Sequence, residues 1–105
     1  MFGNLFGNME EMQAKVREKL ADIRLEVSGS DDLVKVEVNA RRELLNLSID
    51  PQLMADGDPE QLEDLLLITI NRALEQAAAA EAEETQRLLK EMLPPGLDGL
   101  SDMFG

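Results

Sequence analysis

Lys15 and Lys19 stand four residues apart, and Arg41 is followed directly by Arg42. On a helix the first pair shares a face, and in a loop the second pair projects two guanidinium groups together. Cations spaced in this way suit phosphates, which reward clustered Lys and Arg. In a dimer each cluster would occur twice and could straddle a duplex. Little reading of bases would follow, because no aromatic platform is present on which exposed bases could stack. Ordinary solvated surface is the competing account of the same cations.

Carboxylates are the other abundant group, and they suggest no acid–base pair. Glu63 with Asp64, and Glu83 with Glu84, are adjacent in sequence, so on a helix they point in different directions. Asp56-Gly57-Asp58 resembles the opening of a calcium loop, but the position that should carry a bidentate Glu is Leu67. The chain has no His and no Cys, which removes Ser-His and Cys-His nucleophile pairs, thiol redox centres and thiolate or imidazole zinc sites. GxxxxGK[ST], GxGxxG and GxSxG are absent as well. A protein without catalysis, resident metal or cofactor is the expectation.

A chain of 105 residues suits one domain. Its net charge is −12, yet the charge is uneven: residues 1–49 carry 7 basic against 9 acidic groups, whereas residues 50–105 carry 3 against 13. Nucleic-acid contacts are therefore to be sought in the first half. The lack of Cys fits a reducing interior, and the start MFGNLFGN has no basic stretch ahead of its apolar residues, so a cytoplasmic location is expected. Apolar stretches such as 65–70 fall far short of the roughly 20 residues of a membrane span.

Several elements must position these side chains. Met9, Met12, Val16, Leu20 and Ile23 form one helical stripe, with Glu10 and Glu11 early and Lys15, Arg17, Lys19 and Arg24 later, the order the helix dipole favours. Three segments then alternate with period two: Leu25 and Val27; Val34, Val36 and Val38; Leu45, Leu47 and Ile49. They predict a three-stranded antiparallel meander of half-buried strands with one wet face, turned at 28–32 and at 39–42. Asp50-Pro51 ends the third strand, and a loop follows it. Asp58-Pro59-Glu60-Gln61 is a capped helix start, and the helix should run to about Met92, stopped by Pro94 and Pro95.

Such a helix would be about 50 Å long, against a radius of gyration of roughly 13 Å for a compact domain of this size. Its overhang, with Leu88, Leu89 and Met92 still to bury, needs the same helix from a second subunit, which predicts a homodimer. A break near Ala80 with the helix folded back on its own sheet is the alternative. The single domain spans 1–105, with flexible tails at about 1–8 and 94–105. Those tails hold all three Phe residues, which either fray or dock on a partner subunit.

The element order and several strings resemble the YbaB/EbfC family of bacterial nucleoid-associated proteins. The strings are the Met1-Phe2-Gly3 start, Met12-Gln13, LEVSG at 25–29, LVKVEVN at 33–39, SIDPQL at 48–53 and EQLEDLL at 60–66. Asn71 and Ala73, Glu84-Thr85-Gln86 and LPPGL at 93–97 complete the set. The resemblance implies an α+β fold of N-terminal helix, three-stranded antiparallel sheet and long C-terminal helix (αβββα), assembled as an intertwined homodimer. It also implies weakly selective, non-catalytic binding of double-stranded DNA in the nucleoid. Contacts associated with the family's first helix and helical arms fall here on Lys15, Lys19 and Arg24, and secondarily on Arg72, Arg87 and Lys90.

Two positions depart from the family pattern. The Gly-rich turn before LVKV is reduced to Gly29-Ser30-Asp31-Asp32, and Ala40 replaces a Gly, which disfavours positive φ there. The acidic second half supports a rival expectation: a dimeric protein-interaction module of the same fold that has lost DNA binding and meets a protein partner through its tails or acidic arm.

Overall fold

The computed structural model describes residues 2–29 and 31–92, with side chains between residues 9 and 91. The expected stop at Pro94 and Pro95, the C-terminal tail, and the side chains of Phe2, Leu5, Phe6 and Met92 lie outside that description. The order is α1 (Phe2–Asp22), β1 (Arg24–Gly29), β2 (Val34–Asn39), β3 (Leu44–Ile49), α2 (Pro51–Ala55) and α3 (Pro59–Met92). This is the αβββα arrangement with one added helical turn, α2.

The valine alternation builds the centre of the sheet. β2 pairs antiparallel with both neighbours, so the sheet is a β1-β2-β3 meander. Val36 lies opposite Val27 on one side and Leu47 on the other, which sets their side chains on one face. Val34, Val36 and Val38 are completely buried, while Lys35, Glu26 and Ser28 on the reverse face are exposed. α3 lies over β1 and β2, lowering Ala73 and Ala77 onto the valines, and Leu53 of α2 closes the cluster. Small side chains on the helix allow the close approach.

β3 departs from expectation in two ways. A register irregularity between Glu37 and Val38 sets Leu44, not Leu45, opposite Val38, so the inward set is Leu44, Leu47 and Ile49. Half-burial was also expected, yet every residue from Leu44 to Ser48 is exposed, Leu44 by 48% and Leu47 by 40%. The cause is placement: α3 packs on β1 and β2 and leaves the inner face of β3 uncovered within one chain.

Both Asp-Pro pairs open helices. Asp58 Oδ1 accepts the Gln61 N–H at 3.2 Å, one half of the expected capping box. Asp50 Oδ1 accepts the Gln52 N–H at 2.8 Å and starts α2, where a loop was expected. α3 is a single helix of 34 residues with no break near Ala80. It stretches the chain to 63 Å and raises the radius of gyration to 19.2 Å. Leu88, expected to need a partner, is already 5% exposed within the chain, whereas Leu89 is 56% exposed. No helix among the described residues is long and apolar enough to cross a membrane.

Candidate nucleic-acid interface

The turn that carries Arg41 and Arg42 is built around Asn39, whose side chain is almost wholly buried. Its Oδ1 accepts the N–H groups of Arg41 at 3.0 Å and Glu43 at 3.1 Å, and its Nδ2 donates to Glu43 Oε1 at 2.9 Å. One amide thus satisfies two backbone donors that the reversal of the chain would strand. The positive φ needed to close the turn falls on Arg42 (62°), not on position 40. The shortened β1–β2 turn behaves alike: Asp31 and Asp32 take φ of 56° and 63°, a region that Asp tolerates better than most residues.

Ala40 is completely buried, and its N–H is directed at the end of α1, reaching the carbonyls of Leu20 at 3.1 Å and Ile23 at 3.2 Å. The Leu20 carbonyl also accepts the Ile23 N–H at 3.3 Å, so the helix end is closed by the following residue and the arginine turn together. Main-chain bonds therefore fix the α1 cations and the turn cations at one spacing.

Those cations do not form a single patch. Lys15 and Lys19 share one flank of α1, and Lys19 lies near enough to α3 for its charge to act on Glu84. Arg17 is two residues from each, hence about half a turn round the helix. It lines a shallow groove with Ala14, Glu18, Ala21 and Arg41. Sequence spacing separates Arg17 from the two lysines, but nothing in the sequence says which flank of α1 the turn would meet. Arg41 also borders a second open groove, where Arg42 faces Asn71, Leu74, Glu75 and Ala78 of α3. Arg24 stands on the wet face of the sheet. Arg72 is exposed on α3 and borders neither groove, and Arg87 and Lys90 lie near the far end of that helix.

Several of these cations already meet carboxylates. Arg24 reaches Glu37 at 3.3 Å, Arg41 reaches Glu43 at 3.8 Å, and Arg42 reaches Glu81 of α3 at 3.5 Å. Arg87 pairs with Glu84 and, at 3.9 Å, with Glu91. Its hydrogen bond holds the Glu84 carboxyl below the usual glutamate range, with the charges of Arg87 and Lys19 adding to the effect, and in return Glu84 raises the already high Arg87 value. Exposed pairs of this kind contribute little and exchange readily for another anion.

A helix, a three-stranded sheet and one long helix, with basic side chains on the first helix and on the turn joined to it, define a small α+β protein. A family model described as the YbaB/EbfC DNA-binding family matches residues 1–92, and the chain belongs to that family. It is 39% identical over 90 residues to a nucleoid-associated protein of Bordetella avium, covering 85% of this chain and 82% of the relative. A nucleoid-associated protein of Anaeromyxobacter dehalogenans (strain 2CP-C) is 34% identical over 91 residues, covering 87% and 88%. In three dimensions the chain is similar to the crystal structure of the uncharacterized protein HP0035 from Helicobacter pylori, with a TM-score of 0.65 and 26% identity over 89% of this chain and 94% of that one.

Proposed function

We propose that this protein binds double-stranded DNA as a homodimer in the bacterial nucleoid, gripping the phosphate backbone with little sequence selectivity and without catalysis. The observation that carries the DNA reading is the main-chain hydrogen bonding of the Ala40 N–H to Leu20, in the last turn of α1, and to Ile23 just after it. These bonds hold the Lys15–Lys19 helix and the Arg41–Arg42 turn at a set spacing. Cations already fixed relative to one another lose less freedom on meeting a regular row of phosphates. Lys15, Lys19, Arg24, Arg41 and Arg42 are the leading contacts, with Arg72, Arg87 and Lys90 secondary. Binding is weak and salt-sensitive, because Arg24, Arg41, Arg42 and Arg87 must each exchange a carboxylate for a phosphate.

The uncovered inner face of β3 supports the homodimer. Leu44 and Leu47 lie open there, and on α3 Leu67, 63% exposed, shares a flank with Leu74 seven residues later, beside the arginine turn. A second copy would cover both surfaces and shield the apolar area that a single chain leaves in water.

The second reading, a dimeric protein-interaction module without DNA binding, is favoured by one observation: the carboxylates that pair with the arginines already supply an internal anion. A mobility-shift titration of duplex DNA at two salt concentrations decides between them. Retardation that weakens with a log–log slope of about −0.9 per phosphate neutralised is expected. No retardation at low salt, with the dimer intact, overturns the DNA reading and leaves the interaction module.

A further inference from the structure

The groove between α1 and the β2–β3 turn is lined by two arginines that lie 24 positions apart in sequence, Arg17 and Arg41. Arg17 sits on the flank of α1 opposite Lys15 and Lys19. Among the described residues no ion pair engages it, although Glu18 borders the same groove. Arg41 has one partner, Glu43, at the loose distance of 3.8 Å, with 42% of its side chain exposed. The other lining residues include Ala14 and Ala21, whose small side chains leave room between the arginines and the helix. The groove is also preorganised, because the Ala40 bonds to Leu20 and Ile23 fix the turn against this end of α1.

We infer that Arg17 and Arg41 form a phosphate-holding clamp on the DNA backbone, separate from the Lys15–Lys19 flank; this rests on the DNA-binding reading above. Two planar guanidinium groups across a shallow groove suit phosphate oxygens better than two ammonium groups, since each can donate a fork of parallel N–H bonds. Glu18 keeps the groove from being uniformly positive. Its charge opposes an anion in the groove, so holding a phosphate there depends on direct hydrogen bonds from the guanidinium groups.

The experiment compares the intact protein with Arg17→Gln, Arg41→Gln and the double variant, measuring DNA affinity on two unrelated duplexes across a salt series. Each single variant should weaken binding equally on both duplexes and reduce the magnitude of the log–log salt slope by about 0.9 for each phosphate that the variant leaves without a cation. Arg17→Lys should keep the slope, because the charge remains, but weaken binding, because the fork is gone. Far-ultraviolet circular dichroism and mass by light scattering identify any variant that has lost fold or assembly. If Arg17→Gln keeps the parent slope and affinity, the clamp is overturned while the DNA reading stands. A parent protein that binds no DNA at low salt overturns both.

Discussion

Gly29 of β1 and Thr69 of α3 compete for one volume: a Cβ at Gly29 would overlap Thr69 Oγ1 and lie 3.4 Å from its Cβ. The hydroxyl is held there by donating to the Leu65 carbonyl at 2.7 Å, and the residue is 1% exposed. Gly29→Ala should therefore force α3 away from the sheet, at a cost of about 1–3 kcal/mol. Thr69→Ala added to that variant should recover most of the loss. Urea unfolding of the two variants checks this, and an unaffected single variant would mean that the helix is free to lift.

Arg42 occupies a left-handed conformation that costs a residue with a Cβ about 1–2 kcal/mol. Its exposed pair with Glu81 returns at most about 1 kcal/mol. Arg42→Gly should then leave the fold as stable or stabilise it by up to roughly 1 kcal/mol, once the greater freedom of glycine in the unfolded chain is counted. Its DNA affinity should fall. Thermal unfolding beside a binding titration separates the two effects, and clear destabilisation would assign the side chain a larger structural role.

Leu44 and Leu47 lie on the uncovered inner face of β3, the surface proposed above to receive a second copy. If that proposal holds, the parent protein has dimer mass by light scattering at micromolar concentration and Leu44→Asp with Leu47→Asp has monomer mass, since burial of an unpaired charge is strongly unfavourable. A parent protein of monomer mass would refute the assembly itself.

Lys15→Glu with Lys19→Glu should weaken binding to all duplexes alike without dissociating the dimer. The Lys19 charge acts on Glu84 in the parent, so the variant at position 19 replaces an attraction with a repulsion. Unchanged affinity would show this flank to be ordinary solvated surface.

Glu84 has its carboxyl held below the ordinary value of 4.5, first by the hydrogen bond from Arg87. For a depressed carboxyl the stabilisation is complete above the unfolded value and disappears as pH falls through the lower folded value. Arg87→Gln should accordingly bring the Glu84 titration, followed by carbon NMR, back toward 4.5 and remove this contribution at neutral pH. At and above neutral pH the parent should show no change from this group.

Much of the architecture was legible because periodicity reports it directly. Val34, Val36 and Val38 alternate without interruption, and Asp58-Pro59 precedes a helix long enough to display its own pattern. Asp50-Pro51 carries the same start signal, but five residues are too few for a stripe, so α2 reads as loop. The exchange of Leu45 for Leu44 depends on a bulge, a local matter of backbone pairing that the alternation of apolar and polar residues does not specify. Exposure of β3 follows from where α3 lies across the sheet, a relation between distant segments. The same is true of the site: Lys15 and Lys19 can be grouped by helical spacing, whereas the meeting of Arg17 with Arg41 depends on which flank of α1 receives the turn.

The link from Ala40 to α1 uses only main-chain atoms, an N–H and two carbonyls. Exchanging side chains on either element leaves those atoms in place; at position 40 itself, proline alone removes the donor. Surface charge on α1 and on the arginine turn is thus free to drift, rise or fall through successive substitutions while the distance between the two elements stays constant. The scaffold separates a variable, the charge that these two elements present, from an invariant, the geometry in which they present it to the proposed DNA partner.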